Sequence, residues 1–142
     1  MVTLSRPQKS QIAEAILAAE KNTSGEIRVH LARGCRGEVM SEAKKVFVRL
    51  KMERTKRRNA VLIYTALDSR VFAIVGDSGI HERVGDDYWK KTRDLLTEYF
   101  SKGMITEGLI AAVASVGEKL KAHFPSSGPN ADELPNTVTE SS

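Results

Sequence analysis

Hydrophobic positions along this chain change their period several times, and each change marks an element. Ile12, Ile16 and Ala19 recur at helical spacing, which predicts a helix over 5–21. Ser5 followed by Gln8 matches a capping box, Pro7 sits in the first turn, and Asn22-Thr23-Ser24-Gly25 stops the run. Residues 26–31 then alternate strictly. Ile27, Val29 and Leu31 face one side and Glu26, Arg28 and His30 the other, the pattern of a half-buried strand. Gly34 and Gly37 break it.

Val39, Ala43, Val46, Phe47 and Leu50 make the apolar stripe of a second helix over 38–52. Residues 60–66 form a continuous, β-prone apolar run, as a central strand requires. Asp68-Ser69 is too short a connection for anything but a hairpin, so 71–75 returns antiparallel. A third helix is predicted over 86–102, with Trp89, Leu96 and Phe100 inward and Gly103 as its stop. A fourth covers 105–121, with Ile105, Leu109, Ala112, Val113, Val116 and Leu120 inward. This order predicts an α/β sandwich, a mixed sheet packed between helices. Three of the four prolines lie from Pro125 onward, and residues 126–142 have little apolar content. Residues 126–142 read as a disordered polar tail behind one domain over 1–125.

Composition narrows the class. The chain has 142 residues, 41% apolar and 28% charged, which suits one soluble globular domain. The longest apolar runs, 60–67 and 109–116, fall well short of the ~20 residues that span a bilayer. The start shows no apolar leader, and a lone Cys35 rules out an internal disulfide and a thiolate zinc cluster. A cytoplasmic monomer is the expectation. Net charge is +4, and the tail carries Asp132, Glu133 and Glu140 with no base, so the body is more basic than the whole.

The expected topology gathers polar residues. A parallel crossover from the strand at 26–31 to that at 60–66 puts Glu26 and Asn59 at one end of the sheet. The hairpin returns Asp77 and Ser78 to that end, and Asp86 and Asp87 open the next helix nearby. Carboxylates gathered on one rim repel unless a cation lies between them. Hard oxygen donors without thiolates favour calcium or magnesium. Helix capping by Asp86 and Asp87, and an Asx turn at Asp77 with Ser78 and Gly79, explain the same residue types. On spacing alone these structural roles are the commoner ones.

Other strings do not hold up. Gly76-Asp77-Ser78-Gly79 matches the surroundings of a chymotrypsin-like serine, but this chain is too short and too helical for two β-barrels. His81-Glu82 lacks the second histidine of a zincin helix. Cys35 lies near Arg33 and Arg36, yet Ser41 stands where a CX5R phosphatase needs arginine. His30 and His123 are isolated and read as solvent-facing, and no Walker A loop or GxGxxG turn is present. Lys44, Lys45, Arg49, Lys51, Arg54, Lys56, Arg57 and Arg58 oppose a single acid, Glu53. Without interleaved aromatics this reads as a solvated face and not as a nucleic-acid site. Docking of an anionic partner on it is an alternative.

Taken together, several strings resemble the TPM domain family. They are Thr23-Ser24-Gly25-Glu26-Ile27-Arg28-Val29, Thr55 through Asn59-Ala60-Val61-Leu62-Ile63-Tyr64, Ala73-Ile74-Val75-Gly76-Asp77-Ser78-Gly79-Ile80, and Trp89 with Phe100 and Gly103. The resemblance covers roughly 8–125. It implies a three-layer α/β/α sandwich with a mixed, twisted sheet of about four strands. The pattern shows three clearly, so a short fourth is expected near 80–84 or goes unseen. The resemblance further implies a calcium or magnesium site with Glu26, Asn59 and Asp77 as matched residues. The rim topology adds Asp86 and Asp87 as further expected ligands, with Gly76, Ser78 and Gly79 expected to line the site. The resemblance also implies weak acid phosphatase activity as an alternative; on small phosphoesters, the nearby Arg57 or Arg58 would be the expected phosphate clamp. Many relatives carry a signal peptide and a membrane anchor, neither of which this sequence displays.

Overall fold

The computed structural model describes residues 3–126 and 138–141. In chain order the elements are helix α1 (Arg6–Glu20), strand β1 (Glu26–Ala32), helix α2 (Val39–Arg49), a 3₁₀ turn (Met52–Arg54), strands β2 (Ala60–Ala66) and β3 (Val71–Gly76), helix α3 (Ser78–Val84), a second 3₁₀ turn (Asp86–Trp89), helices α4 (Lys90–Ser101) and α5 (Ile105–His123), and strand β4 (Thr139–Ser141). The capping box forms as the sequence predicts: Gln8 N–H donates to Ser5 Oγ at 3.2 Å and Ser5 N–H to Gln8 Oε1 at 2.7 Å.

The sheet order is β3-β2-β1-β4. β1 runs parallel to β2, from Glu26 opposite Ala60 to Ala32 opposite Ala66. β3 returns antiparallel, with Val61 opposite Gly76. One face packs Ile27, Val29, Val61, Ile63 and Ile74 against Ile12 and Ile16 of α1, Leu96 and Phe100 of α4, and Leu109, Val113 and Val116 of α5. The other packs Leu62, Tyr64, Ala73 and Val75 against Ala43, Val46 and Phe47 of α2 and against Met52. Helices on both faces make the three-layer sandwich. They also explain why β2 is apolar without interruption.

The structure corrects five sequence expectations. Residues 80–84 are not a strand: Asp77 caps α3, and 78–84 continue as helix. The fourth strand is β4, parallel to β1 with His30 opposite Thr139. Those three residues belong to the segment expected to be a disordered tail, while 127–137 lie outside the described residues. The second helix ends at Arg49, because Lys51 takes a left-handed φ of 59° before the 3₁₀ turn. The third predicted helix starts with the second 3₁₀ turn, set off from α3 by Gly85 at φ 76°. β1, read as half buried, is buried throughout.

Candidate functional site

The rim forms where β1 and β2 begin and β3 ends. Glu26 N–H donates to the Asn59 carbonyl at 3.4 Å, and Asp77 N–H to the Ala60 carbonyl at 3.0 Å. These two bonds bring Glu26, Asn59, Gly76, Asp77 and Ser78 to one end of the sheet, as the topology requires. Asp77 is the N-cap of α3, and its Oδ1 accepts from the Ser78 N–H at 2.7 Å.

The loop before β2 closes over this cap. Arg58 adopts a left-handed φ of 51°. Its guanidinium forks the Asp77 carboxylate, Nε to Oδ2 at 2.7 Å and Nη2 to Oδ1 at 2.8 Å. This bidentate pairing matches the planar geometry of both groups. The hydrogen bonds to Asp77, followed by its charge, push the Arg58 pKa upward. Gly79 makes the close approach possible. A Cβ there would lie 2.2 Å from the Arg57 carbonyl oxygen and 2.6 Å from that of Arg58. The glycine N–H uses the same proximity to donate to the Arg58 carbonyl at 2.9 Å.

The remaining sequence-derived candidates are spread around this pair. Asn59 Nδ2 and Arg57 Nη1 both donate to Ser24 Oγ, each at 3.3 Å. Asn59 Oδ1 is buried and has no hydrogen-bond partner. Glu26 is buried at the start of β1. Gly76 lies under the Trp89 indole, whose Nε1 would be 3.4 Å from a Cβ there. Asp87 is exposed and lines a separate cleft beside β3. Asp86 opens the second 3₁₀ turn, and its side chain lies outside the described residues. Among the described residues no group of three His, Cys, Asp or Glu side chains is arranged to hold a metal. Of the two arginines expected to clamp phosphate, Arg58 is committed to Asp77. Arg57 lines a cleft of about 400 Å³ with Gly79, Glu82, Arg83, His123 and Phe124.

Sequence reasoning missed several contributors. His30 is buried, not solvent-facing: Nδ1 lies 2.7 Å from Thr139 Oγ1 and Nε2 2.8 Å from Ser141 Oγ. Burial, followed by the charges of Arg49 and Arg28, pushes its pKa down to about 4. Its alternation with Arg28 had marked the solvent face, and nothing local signals that β4 covers it. Glu20 Oε2 accepts the Ile27 N–H at 2.8 Å and helps set where β1 begins. Arg83 donates to the His123 carbonyl at 3.0 Å and lies 4.7 Å over the Phe124 ring. It thereby closes the Arg57 cleft from the side of α5.

The family model for the TPM domain matches residues 2–119. The NMR structure of the BA42 protein from the psychrophilic bacterium Bizionia argentinensis is similar at 41% identity and a TM-score of 0.92, covering 99% of this chain and 97% of that one. The N-terminal domain of a P. gingivalis protein is 20% identical with a TM-score of 0.70, covering 85% of this chain and 78% of its own. The N-terminal domain of the cg2496 protein from Corynebacterium glutamicum is 16% identical with a TM-score of 0.67, covering 90% and 79%. The last two show the shared fold alone. No curated protein matches the chain. No helix among the described residues is long and apolar enough to cross a membrane.

Proposed function

The chain belongs to the TPM domain family, and we propose that it is a binding module whose Asp77 rim takes up a divalent cation, calcium or magnesium. The supporting observation is the mismatch within one ion pair: the Asp77 side chain is 4% exposed, whereas its partner Arg58 is 49% exposed. A buried carboxylate requires positive charge beside it. Here that charge sits at the end of a long side chain that can swing into solvent and leave its place to an ion. The oxygen chemistry fits a hard cation: the Asp77 carboxylate, the unpartnered Oδ1 of Asn59 just before β2, and water. One carboxylate with amide and water oxygens suits magnesium, which keeps much of its hydration, at least as well as calcium. The bound ion would supply positive charge where Arg58 now supplies it. Asp77 would hold the ion, Ser78 N–H would keep the carboxylate oriented, and Gly79 would keep the 57–59 loop in contact.

The test is a calorimetric and amide-shift titration with each ion. The wild-type chain should saturate weakly, on the order of millimolar. Arg58→Gln should bind more tightly because the competing cation is gone, and Asp77→Asn should not bind. If Arg58→Gln shows no response at about 10 mM of either ion, well above the weakest usual calcium affinities, the reading fails.

A second reading, weak hydrolysis of small phosphoesters, is favoured by the Arg57 cleft, where Arg57 and Arg83 present two guanidinium groups to one space. Turnover of p-nitrophenyl phosphate that falls in Arg57→Gln supports it. Turnover indifferent to that substitution removes it.

A further inference from the structure

β3 is an outer strand of the sheet, and among the described residues β2 is its only strand neighbour. The pairing phase says which of its backbone groups are used. Asp77 N–H bonds the Ala60 carbonyl, so alternation along the antiparallel pair directs Val75, Ala73 and Val71 toward β2. Phe72, Ile74 and Gly76 therefore direct both N–H and C=O away from the sheet. An unpaired strand edge is a template for another strand.

This edge does not lie flush with the surface. A cleft of about 610 Å³ runs along it, with Ile74, Val75 and Gly76 as its floor. Met40 and Lys44 of α2 form one wall, and α3 with Trp89 and Arg93 forms the other. The Ile74 side chain packs into the core beside the cleft, and α2 and α3 both contribute to the lining along the edge. A second copy of this chain would bring the same flanking α2 and α3 residues to its own edge. A single extended peptide can enter.

We propose that this cleft binds an extended acidic peptide segment of another protein by adding a strand to β3. Only a peptide backbone offers donors and acceptors at the spacing of the outward groups of Ile74 and Gly76. Strand alternation would set successive ligand side chains on opposite walls. On the α3 wall Ile80, Val84 and the Trp89 ring give apolar surface for aliphatic residues, beside the Arg93 guanidinium. The cleft's cations, Lys44 and Arg93, outnumber its one lining carboxylate, Asp87, and select for acidic residues in the peptide. The site is distinct from the Asp77–Arg58 pair and does not depend on metal uptake there.

The test uses the isotope-labelled full chain and three capped octapeptides. One alternates valine and glutamate, one alternates valine and lysine, and one is the glutamate peptide N-methylated at alternate amides. The glutamate peptide should shift the Phe72, Ile74 and Gly76 amides and slow their hydrogen exchange by about fivefold or more. The N-methylated peptide should do neither. Lys44→Glu, a change on an exposed helix position that leaves the fold alone, should weaken the glutamate peptide by about tenfold and improve the lysine peptide. Absence of shifts at millimolar peptide overturns the proposal. So do shifts without slowed exchange at the edge, or equal binding of the N-methylated peptide. Edge protection that rises with protein concentration when no peptide is present assigns the edge to self-pairing and also overturns it.

Discussion

His30 Nδ1 lies 2.7 Å from Thr139 Oγ1, so a ring on the first strand is bonded to a hydroxyl 109 residues later in the chain. The other ring nitrogen meets Ser141 Oγ, and the ring stacks on Tyr64 with centroids 5.8 Å apart. The imidazole is therefore the side-chain fastener between β1 and β4. A neutral ring can donate from one nitrogen and accept at the other, as the two hydroxyls allow.

That arrangement predicts acid sensitivity of β4. Burial, followed by the charges of Arg49 and Arg28 and opposed by Glu140, pushes the His30 pKa down to about 4. In the unfolded chain the ring has an ordinary pKa near 6.5. The unfolded state thus takes up a proton, as pH falls, before the folded state does. The stabilisation is complete above about pH 6.5, is lost progressively as pH falls toward 4, and has a ceiling of about 3 kcal/mol. Ring NMR signals should titrate near pH 4, with amide protection at Thr139–Ser141 falling together with urea stability. A ring that titrates at its ordinary value with β4 intact contradicts this.

Gly79→Ala should be among the more damaging single-methyl additions in the chain. The new Cβ would meet two backbone carbonyl oxygens, at 2.2 and 2.6 Å, and backbone cannot rotate out of the way as a side chain can. A loss of at least about 2 kcal/mol is expected, the upper part of the overpacking range. Urea unfolding measures it, and amide shifts should spread through both the 57–59 loop and α3.

Asp77→Ala and Asp77→Asn should separate capping from charge. The alanine variant loses the oxygen that accepts from Ser78 N–H. It should cost about 1 kcal/mol, the usual value of an N-cap. Asparagine retains a capping oxygen and should recover most of that stability, even though it releases Arg58. Equal losses in the two variants would mean that the ion pair, not the cap, matters for the fold.

Ser5→Ala should cost about 0.5–1 kcal/mol through the loss of one side of the capping box. Hydrogen exchange should show the loss as fraying of the first turn of α1, with Ile12 and Ile16 still packed on α5 and the sheet.

Local pattern and tertiary structure divide the rest between them. The period of the apolar positions was enough for α1, α2, α5, β2 and the β2–β3 hairpin. Each of these buries a face wide enough to dictate its own repeat, and the Ser5/Gln8 cap is a contact three residues long. The common rim of Glu26, Asn59 and Asp77 also followed from the sequence, because strand order and direction fix which chain ends meet. What failed were features whose cause lies far along the chain. β4 has no apolar repeat of its own; its three residues are a strand because the open edge of β1 supplies their partners. His30 reads as a surface residue until β4 covers it. Arg58 reads as a free cation until a left-handed backbone and the missing Cβ of Gly79 bring it onto Asp77, 19 residues away. Periodicity reports burial within one element, whereas these contacts are decided by how separate elements close on one another, and only the folded chain sets those distances.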